Sequence, residues 1–211
     1  VESPVDADRA VFHQWLQWLC RQQLEAAAAV PLVHDLPIGM DPGGVDAWVW
    51  QDLLALDMAV GAPPDEFNTL GQNWGLPPFV PDRLAEAGYG PLAATIREST
   101  PKGGGLRIDH VMGLFRQFWI PDGATPGEGG YVRFPADEML DIVALESHRA
   151  GAMVIGEDLG TVEEGVREEL AARRMLSYRV LWFEEDDPAS WPELSMASVT
   201  THDLPTVVGL W

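Results

Sequence analysis

Ionisable side chains recur in this chain where apolar runs come to an end. In Gly105 to Phe115, GLRIDHVMGLF, the residues Leu106, Ile108, Val111 and Met112 read as a buried strand that Arg107, Asp109 and His110 interrupt. Burying an unpaired charge is costly, and pairing recovers only part of that cost. The same device returns three times: His34-Asp35 after VPLV, Glu157-Asp158 after AMVIG, and His202-Asp203 after MASVTT. Side chains alternate along a strand, so Arg107 and Asp109 point one way while Ile108 points the other. Arg107 can therefore pair with Asp109 and keep it ionised as a nucleophile. Glu157 follows Gly156, whose missing side chain lets another group approach closely. Three carboxylates, Asp109, Glu157 and Asp203, converging on one mouth would meet the needs of retaining glycoside chemistry. One attacks, one serves as acid and then base, and a third holds the sugar.

Each motif taken alone has a plainer reading. A strand-end aspartate beside an arginine is most often a structural ion pair, and GEDLG could be a turn with helix-capping carboxylates. THD reads as a metal-ligand pair or a capped turn as readily as a substrate contact. Two other classes therefore stay open. A metal-dependent barrel hydrolase would use His34, Asp35, His110, His202 and their neighbours as ligands. Against it, the histidines are scattered singly, without a His-x-His pair and without a lysine in mid-strand. A non-catalytic carbohydrate-binding module would use the aromatic side chains alone.

The elements that must position these residues alternate. Asp8 to Ala29 has Phe12, Trp15, Leu16 and Leu19 at helical spacing, and Trp15 and Trp18 read as core. VPLVHDLPIGM predicts a short buried strand stopped by Pro37, and DAWVWQDLLAL a helix. From residue 59 to 80 the periodicity disappears. This Gly-, Pro- and Asn-rich stretch carries Phe67, Trp74 and Phe79, and a loop so long is usually functional, so it is expected to cover a substrate. DRLAEAGYGPLAATIREST is helical at both ends, and a Gly-rich loop follows the LRIDHV strand. PADEMLDIVALESHRAG is a helix stopped by Gly151. Strands are expected at AMVIGEDLG, YRVLWFEED and MASVTTHDLPT, with a helix at TVEEGVREELAARR opened by a capping box of Thr161 and Glu164.

Apolar strands alternating with helices imply an α/β fold with a parallel sheet buried on both faces. A barrel of eight βα units and an open doubly wound sheet both fit. Charged residues at the carboxyl ends of several strands favour the barrel, whose active site lies at that end.

Bulk properties narrow the partners. With 13 basic and 33 acidic residues the chain carries a formal charge of −20. Such a field repels nucleic acid and anionic membranes and exerts no net force on a neutral substrate. One cysteine, Cys20, forms no internal disulfide framework or multi-cysteine metal site, which suits the cytoplasm. No apolar run approaches the ~20 residues that cross a membrane. The beginning VESPVDADRAVFHQW is unlike a signal peptide.

Five ordered stretches, HDLPIGM, GAPPDEFNTLGQNWGLPP, GLRIDHVMGLF, VIGEDLG and TTHDLPT, together resemble the 4-alpha-glucanotransferases of glycoside hydrolase family 77. These are also called amylomaltases, within the alpha-amylase clan of barrel enzymes. The resemblance covers most of the chain. It implies that residues 1–211 are a single piece of a (β/α)8 catalytic domain, a partial TIM barrel holding roughly strands three to seven, with 59–80 as an inserted aromatic loop. It further implies transfer of alpha-1,4-glucan segments between maltooligosaccharides, with Asp109 as nucleophile, Glu157 as acid/base and Asp203 on the ring hydroxyls. Arg107 and His202 would assist at the same subsite, Asp35 and Asp158 would bind substrate, and Asp65, Phe67, Gln72 and Trp74 would border the acceptor path. No cofactor and no metal are expected. Five strands do not close a barrel, so little or no activity is expected of the piece unless it pairs with its missing parts or another copy.

Overall fold

Asp6 opens α1 (Ala7–Ala27) by accepting the backbone N–H groups of Asp8 and Arg9 at 3.1 and 3.2 Å. The computed structural model describes residues 6–66, 68–202 and 204–210. The chain divides into two units, of which the first ends at Leu32 and consists mainly of α1. No residue of α1 is buried, and Trp15 and Trp18 are 51 % and 56 % exposed. The expectation that they are core is thus corrected. Amphipathic spacing specifies a face and says nothing about what covers it.

In the second unit the chain runs through β1 (Val33–Leu36), α2 (Val45–Val49), β2 (Met58–Ala62), β3 (Gln72–Leu76), α3 (Pro81–Glu86) and α4 (Gly90–Ser99). It continues through β4 (Gly105–Ile108), β5 (Arg116–Pro121), β6 (Gly130–Arg133), α5 (Ala136–Ala150), β7 (Met153–Gly156), α6 (Val166–Ala172), β8 (Leu176–Val180) and β9 (Ser195–Ser198). Five strands form a parallel sheet in the order β1-β4-β7-β8-β9. The order follows the chain without the reversal that a doubly wound sheet requires.

Register fixes which residues share a face. Asp35 lies opposite Arg107, and Arg107 opposite Ile155; Leu36, Ile108 and Gly156 form the next row. Leu106, Ile108 and Val154 pack into the larger core with Ile96 of α4, Leu140 and Val143 of α5, and Leu170 of α6. Ile155, Tyr178 and Val180 form a second, smaller cluster with Leu176 and Met196. Each fully buried Leu or Ile contributes about 1.5–3 kcal/mol. Glu146 staples α4 to α5: it is buried, accepts two bonds from Arg97 at 3.0 and 2.8 Å, and a third from Arg149 at 2.6 Å.

Gly151 ends α5 in the left-handed region at φ 62°, as its position in the sequence implies. The expected capping box at Thr161 does not form. α6 begins later, after Gly165 at φ 90°, and a capping box joins Thr125 to Glu128 instead. DAWVWQDLLAL is only partly α-helical: α2 passes into a single tighter turn at Gln51–Leu53.

The stretch without periodicity is not all loop. β2 and β3 join β5 and β6 in a four-stranded antiparallel sheet of order β3-β2-β5-β6. β2 pairs with β5 across sixty residues of chain, Met58 opposite Pro121 and Gly61 opposite Phe118. Strands whose partner lies so far away are specified by that partner rather than by local pattern. Gly61 is needed there, since a Cβ would collide with the Gln72 carbonyl and the Ile120 side chain.

Candidate active site

Arg107 is the cation around which the site is assembled. Its guanidinium, 12 % exposed, donates to Asp35 Oδ1 at 2.6 Å and to Asp109 Oδ1 at 2.9 Å. The Tyr178 ring lies beneath it, 5.5 Å from the centroid. The sequence-level pairing with Asp109 is present, and the same arginine also holds Asp35. Strand alternation divides His34 from Asp35: the imidazole turns to the helix side and donates from Nδ1 to the Ser99 carbonyl oxygen at 2.9 Å.

Glu157 follows β7, and Gly156 makes its position possible. A Cβ at Gly156 would stand 3.1 Å from both Val111 methyls, so Val111 occupies the space that the glycine leaves. The backbone of Val111 in turn donates to the Glu157 carbonyl at 2.9 Å. The Glu157 side chain accepts the His110 N–H on Oε2 and the Leu159 N–H on Oε1, each at 2.8 Å. Burial raises its pKa above the ordinary carboxylate value; the Leu159 and His110 amides oppose this, the Asp109 charge adds to it, and Arg107 reduces it. The acid thus holds its proton to higher pH than a free glutamate, while two amides wait for its anion.

His110 was legible as a strand-end imidazole, and as a site residue only under the metal-hydrolase reading. It is non-glycine backbone at φ 46°. Burial lowers the pKa of its ring, Asp109 opposing this and Arg116 reinforcing it. The ring meets Trp74 of β3 edge-on, 5.6 Å between centroids, and Trp74 Nε1 donates to Gln72 Oε1 at 3.0 Å. Asp65 makes a turn with Asn68, accepting its N–H at 2.5 Å. His202 lies in an exposed turn beyond β9. Asp203 and Phe67 fall outside the described residues.

Asp158 behaves differently from its sequence expectation. Its side chain has no exposed surface, one oxygen accepts from Arg167 Nε at 2.8 Å and Ser177 Oγ at 2.6 Å, and the other from the Tyr178 N–H at 2.8 Å. With both oxygens engaged inward, it anchors the turn after Glu157 to α6 and β8 rather than presenting itself to a sugar. A cavity of about 470 Å³ opens beside Asp109 and His110, with Leu36, Trp50, Phe79 and Gln117 among its walls. It is lined by Thr95 and Ile96 of α4 and Met139 of α5 as well as by Asp109, and includes neither Asp35 nor Glu157. Among the described residues no three His, Cys, Asp or Glu side chains are gathered to hold a metal ion. No helix among them is long and apolar enough to cross a membrane.

Comparison with known proteins decides the kinship. The sequence pattern of glycoside hydrolase family 77, 4-alpha-glucanotransferase, matches residues 3–211. The chain belongs to this family. A 4-alpha-glucanotransferase of Mycobacterium tuberculosis is 51 % identical over 221 residues, covering 96 % of this chain and 30 % of that protein. One from Haemophilus influenzae is 38 % identical over 217 residues, covering 97 % and 31 %. The crystal structure of amylomaltase from Corynebacterium glutamicum superposes with a TM-score of 0.89 at 42 % identity, over 98 % of this chain and 31 % of that one. Amylomaltase from Streptococcus agalactiae, solved in complex with acarbose, shares the fold at TM-score 0.74 and 24 % identity, over 90 % and 41 %. The chain therefore spans about 30 % of the length of these curated 4-alpha-glucanotransferases.

Proposed function

We propose that the protein carrying this chain transfers alpha-1,4-glucan segments between maltooligosaccharides by a retaining double displacement. The observation that carries the reading is a buried acid, Glu157, within the field of Asp109, whose charge is shared with Arg107. Asp109 attacks the anomeric carbon while Glu157 protonates the departing glycosidic oxygen, giving a glucosyl-enzyme ester and a free shorter chain. Glu157, now an anion held by two backbone amides, removes the proton of an incoming sugar 4-hydroxyl. That oxygen attacks the anomeric carbon, the ester breaks, and both carboxyl groups return to their starting states.

Asp203 and His202 hold the ring hydroxyls of the reacting sugar, and Arg107 orients Asp109 and the substrate-binding Asp35. Asp65, Phe67, Gln72 and Trp74 border the acceptor path, where residues 59–80 and their aromatic cover favour a sugar over water. Asp158 acts through Glu157 by fixing the turn behind it. The displacement runs on carboxylates and needs no cofactor or metal.

The five parallel strands are strands three to seven of a (β/α)8 barrel, supported by their uninterrupted order and the likeness to amylomaltase. The remaining strands belong to the rest of the full-length protein, and the piece alone has little or no activity without them or a second copy. The single cysteine and the acidic surface suit a cytoplasmic enzyme. Maltotriose incubated with the full-length protein tests the reading. Free glucose with a ladder of longer maltooligosaccharides, lost in Asp109→Asn, supports it; glucan binding that survives Asp109→Asn without any turnover in the unmodified protein overturns it.

A further inference from the structure

Left-handed backbone is uncommon outside glycine, and among the other residues asparagine, aspartate and histidine adopt it most readily. His110 does so at φ 46° between the nucleophile Asp109 and the buried Val111. Such a conformation persists only where its surroundings hold it, and here three contacts do. The Val111 N–H is fixed on the Glu157 carbonyl, the His110 N–H on Glu157 Oε2, and the imidazole against the edge of Trp74. Trp74 belongs to β3 in the antiparallel sheet, so one residue touches that sheet through its ring and the acid through its backbone.

We propose that His110 is a positioning residue that couples the acceptor-side strand β3 to Glu157, its ring reading Trp74 and its left-handed backbone placing the N–H on the carboxylate. The assignment rests on the acid/base role of Glu157 given above. It separates two functions of one residue. The ring keeps Trp74 in register with the site, and any side chain that leaves the ring out weakens that contact. The turn keeps the amide on Glu157, and only residues that tolerate positive φ preserve it. The charged groups facing Glu157 are Asp109, which favours its neutral form, and Arg107, which favours its anion. Those facing the His110 ring are Asp109 and Arg116. None of these changes in the substitutions below.

Two variants of the full-length protein divide the roles. His110→Gly adopts the left-handed conformation without steric strain and keeps the amide, while removing the ring. His110→Val removes the ring and also resists positive φ, so the turn relaxes and the amide leaves Glu157. Loss of an amide from the anion raises the pKa of the acid, by about one unit for one charge-assisted hydrogen bond. The Glu157 titration is followed directly by carbon NMR of labelled glutamate, identified by its absence in Glu157→Gln. This readout does not depend on glucan transfer, so an inactive parent protein would overturn the function and leave the coupling testable. The expected result is a Glu157 titration near the parent value in His110→Gly and displaced upward in His110→Val. In kinetics, His110→Gly raises the acceptor KM several-fold with kcat little changed, and His110→Val lowers kcat and moves the alkaline limb to higher pH. His110→Asn, which also tolerates positive φ, follows the glycine variant and guards against a valine variant that fails to fold. Equal Glu157 titrations in the glycine, asparagine and valine variants, or an upward shift in His110→Gly as large as in His110→Val, would overturn the proposal.

Discussion

Gly156→Ala is the smallest change that should reach the chemistry from behind. The added Cβ would stand 3.1 Å from Val111 Cγ1 and Cγ2 and 3.2 Å from its Cβ. Val111 is fully buried, with no flexible end to swing aside, so it must move by a few tenths of an ångström. Overpacking of this kind costs about 1–3 kcal/mol. Val111 is joined to His110, whose N–H lies 2.8 Å from Glu157, so the displacement passes to the acid. Misplacement by about 1 Å can cost a hundredfold in rate, and a few tenths correspond to roughly three- to tenfold. Val111→Ala alone removes buried methyls and costs about 2 kcal/mol. Combined, the new methyl occupies space the valine vacated, so the double variant should be less destabilised than the sum of the singles by about 1–2 kcal/mol. The assay is the thermal midpoint of the four full-length proteins beside their initial rates of maltotriose disproportionation. Unchanged midpoint and rate in Gly156→Ala, or strictly additive losses in the double variant, would refute the packing argument.

Other expectations follow from the same geometry. Asp158→Asn should lower the thermal midpoint, because Arg167 Nε, Ser177 Oγ and the Tyr178 N–H lose a fully buried charged acceptor, while the glucan KM of the folded fraction stays within about twofold. Gly61→Ala should disturb the β2–β3 pairing and raise the acceptor KM more than the donor KM, since Gln72 and Trp74 are carried on β3; equal effects would contradict that placement. The raised pKa of Glu157 gives two signs. Transfer is lost as pH rises through that raised value, and the stability associated with the protonated group is present below its unfolded pKa and lost across the same rise. Glu157→Gln should abolish transfer at every pH and remove the stability dependence, as seen in pH-rate and pH-melting profiles.

The residues proposed to do chemistry were more legible than the antiparallel strands, of which β3 carries Gln72 and Trp74. Asp109 and Glu157 stood out because ionisable side chains recur at the ends of several apolar strands, although each alone reads most often as structural, and strand alternation alone paired Asp109 with Arg107. Alternation also divides His34 from Asp35, although the adjacent letters read as one motif. The antiparallel sheet was hidden, because β2 is completed by β5 far along the chain and β3 is the unpromising QNWGL. Asp158 was misleading for a related reason. Its letter is the same whether the carboxylate faces a sugar or Ser177, and only the fold brings Arg167 and Tyr178 around it. His110 needed a backbone angle, which no residue type declares.

The central claim is that Asp109 forms a covalent bond to the sugar, and trapping tests it most directly. The full-length Glu157→Gln protein, given an activated maltosyl fluoride that needs no acid to depart, should accumulate a maltosyl-enzyme. Mass spectrometry after proteolysis should place that mass on the peptide containing Asp109, and Asp109→Asn should remove it. An adduct on another carboxylate, or turnover of maltosyl fluoride with inverted product and no adduct, would contradict the account.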